Sequence, residues 1–383
     1  MKKTILNLTI ATGLLLLGSP KSVTAQTPPS YSIYSLGANT TGLSVSQDGN
    51  YVTGLYYNTN AGFSNPQPGF LWTQSGGAVT LPAAGPTNYV DTSPNAVNNS
   101  GMVAAVLSTT FYGADALPVL YGNTTSATML PLPEGSSIGK PYGINNAGTV
   151  AGTIQSNGSW YAATFTPTSA KVLTQTPTNG AILQYAYGIA NSGRVAGQAS
   201  YTGGLIGYYL DPGASNAVEL GSLPGGDGNT VAFGISASGS YITGSSGANP
   251  FIYQPETATM TAIDLFAGWT SGEGRSVNDL GWVVGSGGNN TSIPFLFNGV
   301  STYGLQDLLE GPSATGWDMV SGTGNAALGI SDNGVITGRA LFEGVTTGFV
   351  MIPNSPIPEP STYALLGLGV VGMLITLRRR KLG

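Results

Sequence analysis

The 383-residue chain contains neither His nor Cys. That removes most side chains able to do nucleophilic, metal or redox chemistry near neutral pH. No Ser-His-Asp triad, imidazole ligand, thiolate zinc site, Fe–S cluster or disulfide can be built. Carboxylates remain. A glycosidase needs two of them roughly 5–9.5 Å apart, and sixteen of the seventeen acidic residues precede Glu359, so a cryptic glycan-acting hydrolase is one reading. However, Asp48, Asp279 and Asp332 each lie within two residues of a turn-like Gly, where Asp is routine, and no acid sits in a distinctive motif. No catalytic residue is assigned. Gly225-Gly226-Asp227-Gly228-Asn229-Thr230-Val231 approaches a glycine-rich calcium nonapeptide, but Thr230 stands where that pattern requires Asp. No EF-hand loop is present. No metal ligand or cofactor is assigned, and calcium in the oxygen-rich loops remains a candidate structural ion.

What positions these residues is a repeat. The signature is a β-branched residue, a few polar or small residues, a Gly, and then a β-branched stretch. It begins at Val45, Val97, Ile144, Ile189, Ile235, Val277 and Ile330, and its turn glycines fall at 49, 101, 148, 193, 239, 281 and 334. Asn, Asp and Ser supply turn side chains, and Gly takes the φ > 0 position. Strands resume at Val52, Val103, Val150, Val195, Ile242, Val283 and Ile336. Six copies then place a second Gly, at 54, 152, 197, 244, 285 and 338, whereas the second copy reads Ala104-Ala105-Val106. The residue before each first β-branched position is small (Ser44, Ala96, Gly143, Gly188, Gly234, Ser276, Gly329), as the crowded axis of a ring requires. Spacings of 42 to 53 residues between turn glycines fit propeller blades.

Each hairpin leads to a third, usually aromatic strand, such as Phe70-Leu71-Trp72 or Phe295-Leu296-Phe297, and then to a fourth apolar segment, the last being Thr302–Leu308. Seven third strands are followed by only six fourth strands. Tyr31-Ser32-Ile33-Tyr34-Ser35-Leu36-Gly37 supplies the missing one if it pairs with Phe349–Ile352. The expected fold is all-β: a seven-bladed β-propeller of about 28 strands closed by its N-terminal strand. An open β-solenoid or a two-sheet array is the competing architecture. Aromatics outside the third-strand register (Trp269, Trp317, Trp160, Tyr112 and Tyr89) are candidate glycan contacts, since flat rings can stack on sugars.

The two ends read as addresses. Residues 1–25 carry Lys2 and Lys3, an apolar run through Leu17, and small residues at Val23 and Ala25. That is the pattern of a secretory signal peptide cleaved between Ala25 and Gln26. At the other end, Pro358-Glu359-Pro360 leads into the uncharged stretch Tyr363–Leu377, followed by Arg378-Arg379-Arg380-Lys381. Flanking residues and snorkelling arginines allow this short run to serve as a transmembrane helix with a cytoplasmic basic tail. The body, residues 26–353, is expected to be one repeat domain, and residues 354–383 a sorting segment. Only five basic residues lie outside the two end segments, so the acidic body offers no footprint for nucleic acid or anionic lipid.

The tail resembles the PEP-CTERM sorting signal of Gram-negative bacteria. The resemblance implies recognition by an exosortase-type membrane protease, cleavage near Pro358-Glu359-Pro360, transient tail anchoring in the inner membrane, and release to the cell surface or an exopolysaccharide matrix. The repeat resembles the extracellular HAF family, most fully at Leu220-Gly221-Ser222-Leu223-Pro224-Gly225-Gly226-Asp227 and Ala232-Phe233-Gly234-Ile235. The family's His is absent: Pro68-Gly69-Phe70 and Pro250-Phe251 stand instead. Together these resemblances imply an exported, non-catalytic structural or adhesive surface protein of a biofilm matrix. Its partners would be the exosortase-type protease and, as a candidate, exopolysaccharide. A carbohydrate-binding propeller module is the alternative.

Overall fold

The computed structural model describes residues 27–57, 68–82, 84–85, 89, 91–109, 115–122, 126–177, 180–226 and 228–357. These residues form 29 β-strands in seven antiparallel sheets, arranged as the blades of a propeller. Blade 1 runs outward through Thr40–Val45, Val52–Tyr56, Gly69–Thr73 and Gly77–Thr80. Blades 2 to 6 repeat this order, with innermost strands Asp91–Val97, Ser136–Ile144, Ile182–Ile189, Thr230–Ile235 and Ser271–Val277.

Blade 7 is built from both ends of the body. Ala326–Ile330, Ile336–Phe342 and Val345–Pro353 are its inner three strands, and Tyr31–Ala38 is added outside them. The pairing aligns Tyr31 with Pro353, Ile33 with Met351 and Ser35 with Phe349. The expected closure by the N-terminal strand is thus observed. A short fifth strand, Trp317–Asp318, pairs with Leu341 and Phe342. The expected fourth strand over 302–308 stops at Gly304, where Leu305–Leu308 turns into a 3₁₀ helix. Leu305 at the start of that helix is fully buried, so the chain leaves the sheet edge to seat it in the blade 6–7 core. Among the described residues no helix is long and apolar enough to cross a membrane; both apolar end segments lie outside them.

All seven turn glycines have positive φ, from 71° to 90°. The second glycines have a different cause. At Gly54, Gly152, Gly197, Gly244, Gly285 and Gly338 an added Cβ would stand only 1.8–2.2 Å from a carbonyl oxygen of the innermost strand. In every blade that innermost strand carries a one-residue bulge, which shifts its register against the second strand. In five blades the same glycine pairs with an aromatic of the third strand: Phe70, Tyr208, Phe251, Phe295 or Phe349. These five rings are fully buried. Blade 2 departs on both sides, with Ala105 in the glycine's place and Val119 in the aromatic's.

The body's last described residues are tied down. The Asn354 amide N–H donates to the Ser30 carbonyl (2.9 Å), and the Ser32 hydroxyl donates to Asn354 Oδ1 (2.7 Å). Ile357 is buried in a cluster with Trp282, Ile330, Ile336 and Met351. Both ends of the described body therefore meet beside the turn of blade 7.

The closing strand should carry stability out of proportion to its position on a sheet edge, because its apolar side chains are buried. Ile33→Ala, at a 3% exposed site, is expected to cost about 2–5 kcal/mol. Val79→Ala, on the exposed outermost strand of blade 1, should change stability by about 0.5 kcal/mol or less. Chemical denaturation of the two variants checks this.

Candidate functional site

The seven inner hairpin turns are joined edge to edge. The backbone N–H of one residue in each turn donates to the next turn around the ring, always in the same sense. Asp48 donates to Asn99 Oδ1 (3.0 Å), Asn99 to Asn146 Oδ1 (3.1 Å) and Asn146 to Asn191 Oδ1 (3.0 Å). Asn191 donates to the Ala237 carbonyl (2.8 Å), Ser238 to Asp279 Oδ1 (2.8 Å) and Asp279 to Asp332 Oδ1 (2.8 Å). Asp332 completes the circle on the Gln47 carbonyl (2.9 Å). Side chains add to it: Asn98, Asn145 and Asn278 each donate through Nδ2 to a carbonyl of the following turn. This explains the polar turn residues. Their amides and carboxylates join blades as well as shape local turns. The Asp48 carboxylate also accepts from Ser46 and Asn50 within its own turn.

Inside this belt lies a cavity of about 450 Å³ lined by residues from all seven innermost strands. The bulged residue of each blade lines it: Leu43, Asn95, Tyr142, Tyr187, Phe233, Arg275 and Leu328. Sequence reasoning named the small residue one place later and missed this one. The available signal was a side chain of any size at a fixed step, two before the β-branched residue, in a strand otherwise restricted to small residues near its end. The small neighbours are required: a Cβ on Gly143 would meet the Gly188 Cα and the Tyr187 carbonyl at 3.1 Å, and one on Gly234 would meet the Arg275 carbonyl at 2.8 Å.

The lining is one-sided. Blades 3 to 5 contribute aromatics that touch in sequence. Tyr142 lies 5.2 Å from Tyr187, and Tyr187 lies 5.7 Å from Phe233. Tyr185 stacks on Tyr187 at 5.5 Å with an interplanar angle of 3°, and Trp160 stacks on Tyr185 at 6.2 Å. Cations cover both ends of this arc. Lys140 Nζ lies 5.3 Å from the Trp160 ring, and the Arg275 guanidinium lies 4.6 Å from Phe233. Glu273 accepts from Arg275 Nε at 2.7 Å, so that guanidinium is matched within its own strand. Burial pushes the Tyr187 phenol up to about 12, with Tyr185 acting in the same direction and Arg275 against it. Burial, reinforced by Tyr187 and Tyr185, holds the Tyr142 phenol well above the usual tyrosine range. Both are neutral hydrogen-bonding groups at physiological pH.

The aromatics expected to contact glycans are dispersed. Trp160 joins the arc. Trp317 is buried in blade 7 against Phe342 (5.0 Å) and Phe349 (6.1 Å), so its ring serves packing. Trp269 is half-buried over blade 6, 4.9 Å from Phe266 and 6.4 Å from Phe295. Tyr89 packs against the core of blade 2. Tyr112 lies outside the described residues, as do Ala25, Gln26, Pro358, Glu359, Pro360, Arg378, Arg379 and Arg380. Among the described residues, no group of three or more acidic side chains is placed to hold a metal ion. In the calcium-like segment, Thr230 begins the innermost strand of blade 5 with its hydroxyl on Ser246 (3.2 Å), and Asp227 lies outside the described residues.

Residues 356–381 match the PEP-CTERM protein-sorting motif. The motif begins within the docked stretch that ends at Ile357. The fold is similar to that of an oligogalacturonate lyase in complex with manganese (TM-score 0.51, 12% identity, covering 86% of this chain and 97% of that one). It is also similar to the β-propeller domain of the Trilobed protease from Pyrococcus furiosus, described as having an open velcro topology (TM-score 0.51, 7% identity, covering 85% and 96%). At such identities the likeness is one of fold alone. A search of curated proteins finds no match.

The tyrosines of the arc have a consequence at high pH. A phenol with an ordinary value near 10 in the unfolded chain and a raised one in the folded state keeps its proton longer when folded. Stability contributed this way is complete below pH 10 and falls as pH rises toward 12. Tyr142, Tyr187 and the fully buried Tyr208 all shift in this direction. Denaturation midpoints measured from pH 9 to 11.5 are expected to drop, and Tyr187→Phe should flatten part of that drop.

Proposed function

We propose that this is an exported cell-surface or exopolysaccharide-matrix protein with a non-catalytic, structural or adhesive role, sorted by an exosortase-type protease. The match of residues 356–381 to the sorting motif carries the reading. In it, residues 1–25 are removed as a signal peptide on the N-terminal side of Gln26. The apolar stretch after Pro358-Glu359-Pro360 holds the precursor in the inner membrane by a transmembrane helix, and Arg378, Arg379 and Arg380 stay on the cytoplasmic side. The likeness of the repeats to HAF proteins belongs to the same reading, as does the absence of a required cofactor. A closed disc whose inner turns are hydrogen-bonded from blade to blade suits a durable extracellular scaffold, with any specificity carried by residues on its faces and axis. The one-sided aromatic arc favours a second reading, in which the propeller is a carbohydrate-binding module.

Two outcomes test the sorting reading. Replacing Pro358, Glu359 and Pro360 together by Ala should move the protein from the surface or matrix fraction to the membrane fraction, read by immunoblot after fractionation. Unchanged distribution would overturn the reading. Because Ile357 is packed into the blade 7 cluster, the processed protein should retain it: intact-mass measurement of the mature form should place its C-terminus after residue 357.

A further inference from the structure

We propose that the axial cavity is a binding site for a neutral saccharide, taken as a chain end or short oligosaccharide. This deepens the carbohydrate-binding reading above and rests on it. Three features of the cavity point the same way.

The first is asymmetry. A plug that merely filled the axis would be expected to use similar side chains all round, because the backbone repeats seven times. Instead Tyr142, Tyr187 and Phe233 form a continuous surface on one side and Leu43 and Leu328 of blades 1 and 7 line the other side of the open space, while Asn95 of blade 2 donates through Nδ2 to the Pro141 carbonyl of blade 3 (2.7 Å). That space, about 450 Å³, falls within the roughly 300–1,000 Å³ of small-molecule sites.

The second is the division of the lining into two levels. Five of the seven bulged residues are aromatic or aliphatic, while the hairpin turns give a mainly carboxamide layer that includes Gln47, whose side-chain oxygen accepts from Asn146 (2.8 Å) and Asn191 (3.0 Å) across the ring. A pyranose has the same two characters, an apolar face of C–H groups and a periphery of hydroxyls. An aromatic layer beside an amide layer matches both, and the neutral phenols of Tyr142 and Tyr187 can donate to or accept from hydroxyls.

The third is charge. Arg275 is the cation among the cavity-lining residues, and Glu273 already holds it. Asp332 lines the turn end, and the body carries far more acidic than basic residues. An anionic sugar would meet an unfavourable field with no unmatched cation to offset it. The ligand class is therefore neutral. The site is also rigid: Tyr187 is held by its stack on Tyr185 and the turns are locked by the hydrogen-bonded belt, so little side-chain ordering would oppose binding.

The test uses the full chain purified from cells. Neutral hexose and N-acetylhexosamine trisaccharides are the probes, and a hexuronate trisaccharide is the charged comparator. Saturation-transfer NMR and calorimetry supply the readout. At least one neutral probe should bind, and more tightly than the hexuronate. Tyr187→Leu should weaken that binding about tenfold, the loss of one aromatic contact, whereas Tyr187→Phe should largely keep it. Leu43→Trp leaves the arc intact and fills the cavity from the opposite side, so it should abolish binding even where Tyr187→Leu fails to fold. Binding to the neutral probes that both Tyr187→Leu and Leu43→Trp leave unchanged would overturn the channel site while leaving the carbohydrate-binding reading in place. Preference for the hexuronate would overturn the ligand class. Failure of every probe to bind would overturn both the site and the carbohydrate-binding reading, without touching the sorting reading.

Discussion

Crowding at the propeller axis governs the rest of the molecule. Seven innermost strands converge there, and their ends come close enough that one more carbon would strike a neighbour's backbone. Gly188 illustrates the limit. A Cβ on it would sit 3.3 Å from the backbone nitrogen of Ile235 in the next blade and 2.8 Å from that residue's side chain. Neighbouring inner strands lie backbone against side chain, with no room for an intervening layer. The turns that follow are consequently near enough to bond directly, and the hydrogen-bonded belt runs through all seven junctions. Each such bond contributes a modest net stabilisation, about 0.5–1.5 kcal/mol. Their main effect is geometric, since a closed circle of short bonds fixes the angle between blades and hence the shape of the axial cavity.

The bulge in each innermost strand lets that crowding coexist with a lined cavity. A regular strand would turn every second side chain into a blade interface. The extra residue breaks the alternation and provides a position where large side chains are accepted beside ones that must be small. Tyr142, Tyr187, Phe233 and Arg275 occupy such positions. The opposing second strand carries a glycine in six blades because the bulged strand's carbonyl occupies the place of a Cβ. The axial glycines, the bulges and the cavity are thus one construction: small residues permit the approach, and the bulge exposes one side chain per blade to the axis.

Most of the architecture was legible because it is repeated. Positive φ at the turns selects Gly, close approach selects Gly, Ala or Ser, and intersheet packing selects an aromatic. Seven copies in register make those selections visible without structure. Closure was legible for a related reason: Tyr31–Ala38 filled a vacancy defined by counting. The candidate site was less legible because it departs from the repeat. The identity of the bulged residue differs from blade to blade, so Tyr142, Tyr187 and Phe233 read individually as ordinary strand aromatics. Their contact depends on how adjacent blades splay around the axis. Isolation in sequence was a poor guide to exposure as well. Trp317 stands alone in a glycine- and serine-rich connection, yet that connection folds back as an edge strand and buries the ring against Phe349. Trp160 was recognisable as out of register, but its partner Tyr185 comes from the next blade.

The two ends of the body add a constraint that links fold to export. Ser30 and Asn354 are bonded to one another beside the closing strand, and Ile357 is inserted under the turn of blade 7, where Gly334 leaves space for it. The sorting motif therefore starts from a fixed point on the blade that completes the ring, rather than from a slack linker. A chain unable to close blade 7 would lose the N-terminal strand and the seat of Ile357 together, because they share one cluster containing Tyr31, Ile33, Met351 and Ile357. In a protein whose tail is its address, this arrangement couples the integrity of the disc to the setting of the segment that directs it. It also places the departure of that segment on the same side as the hairpin belt, opposite the loops that connect one blade to the next.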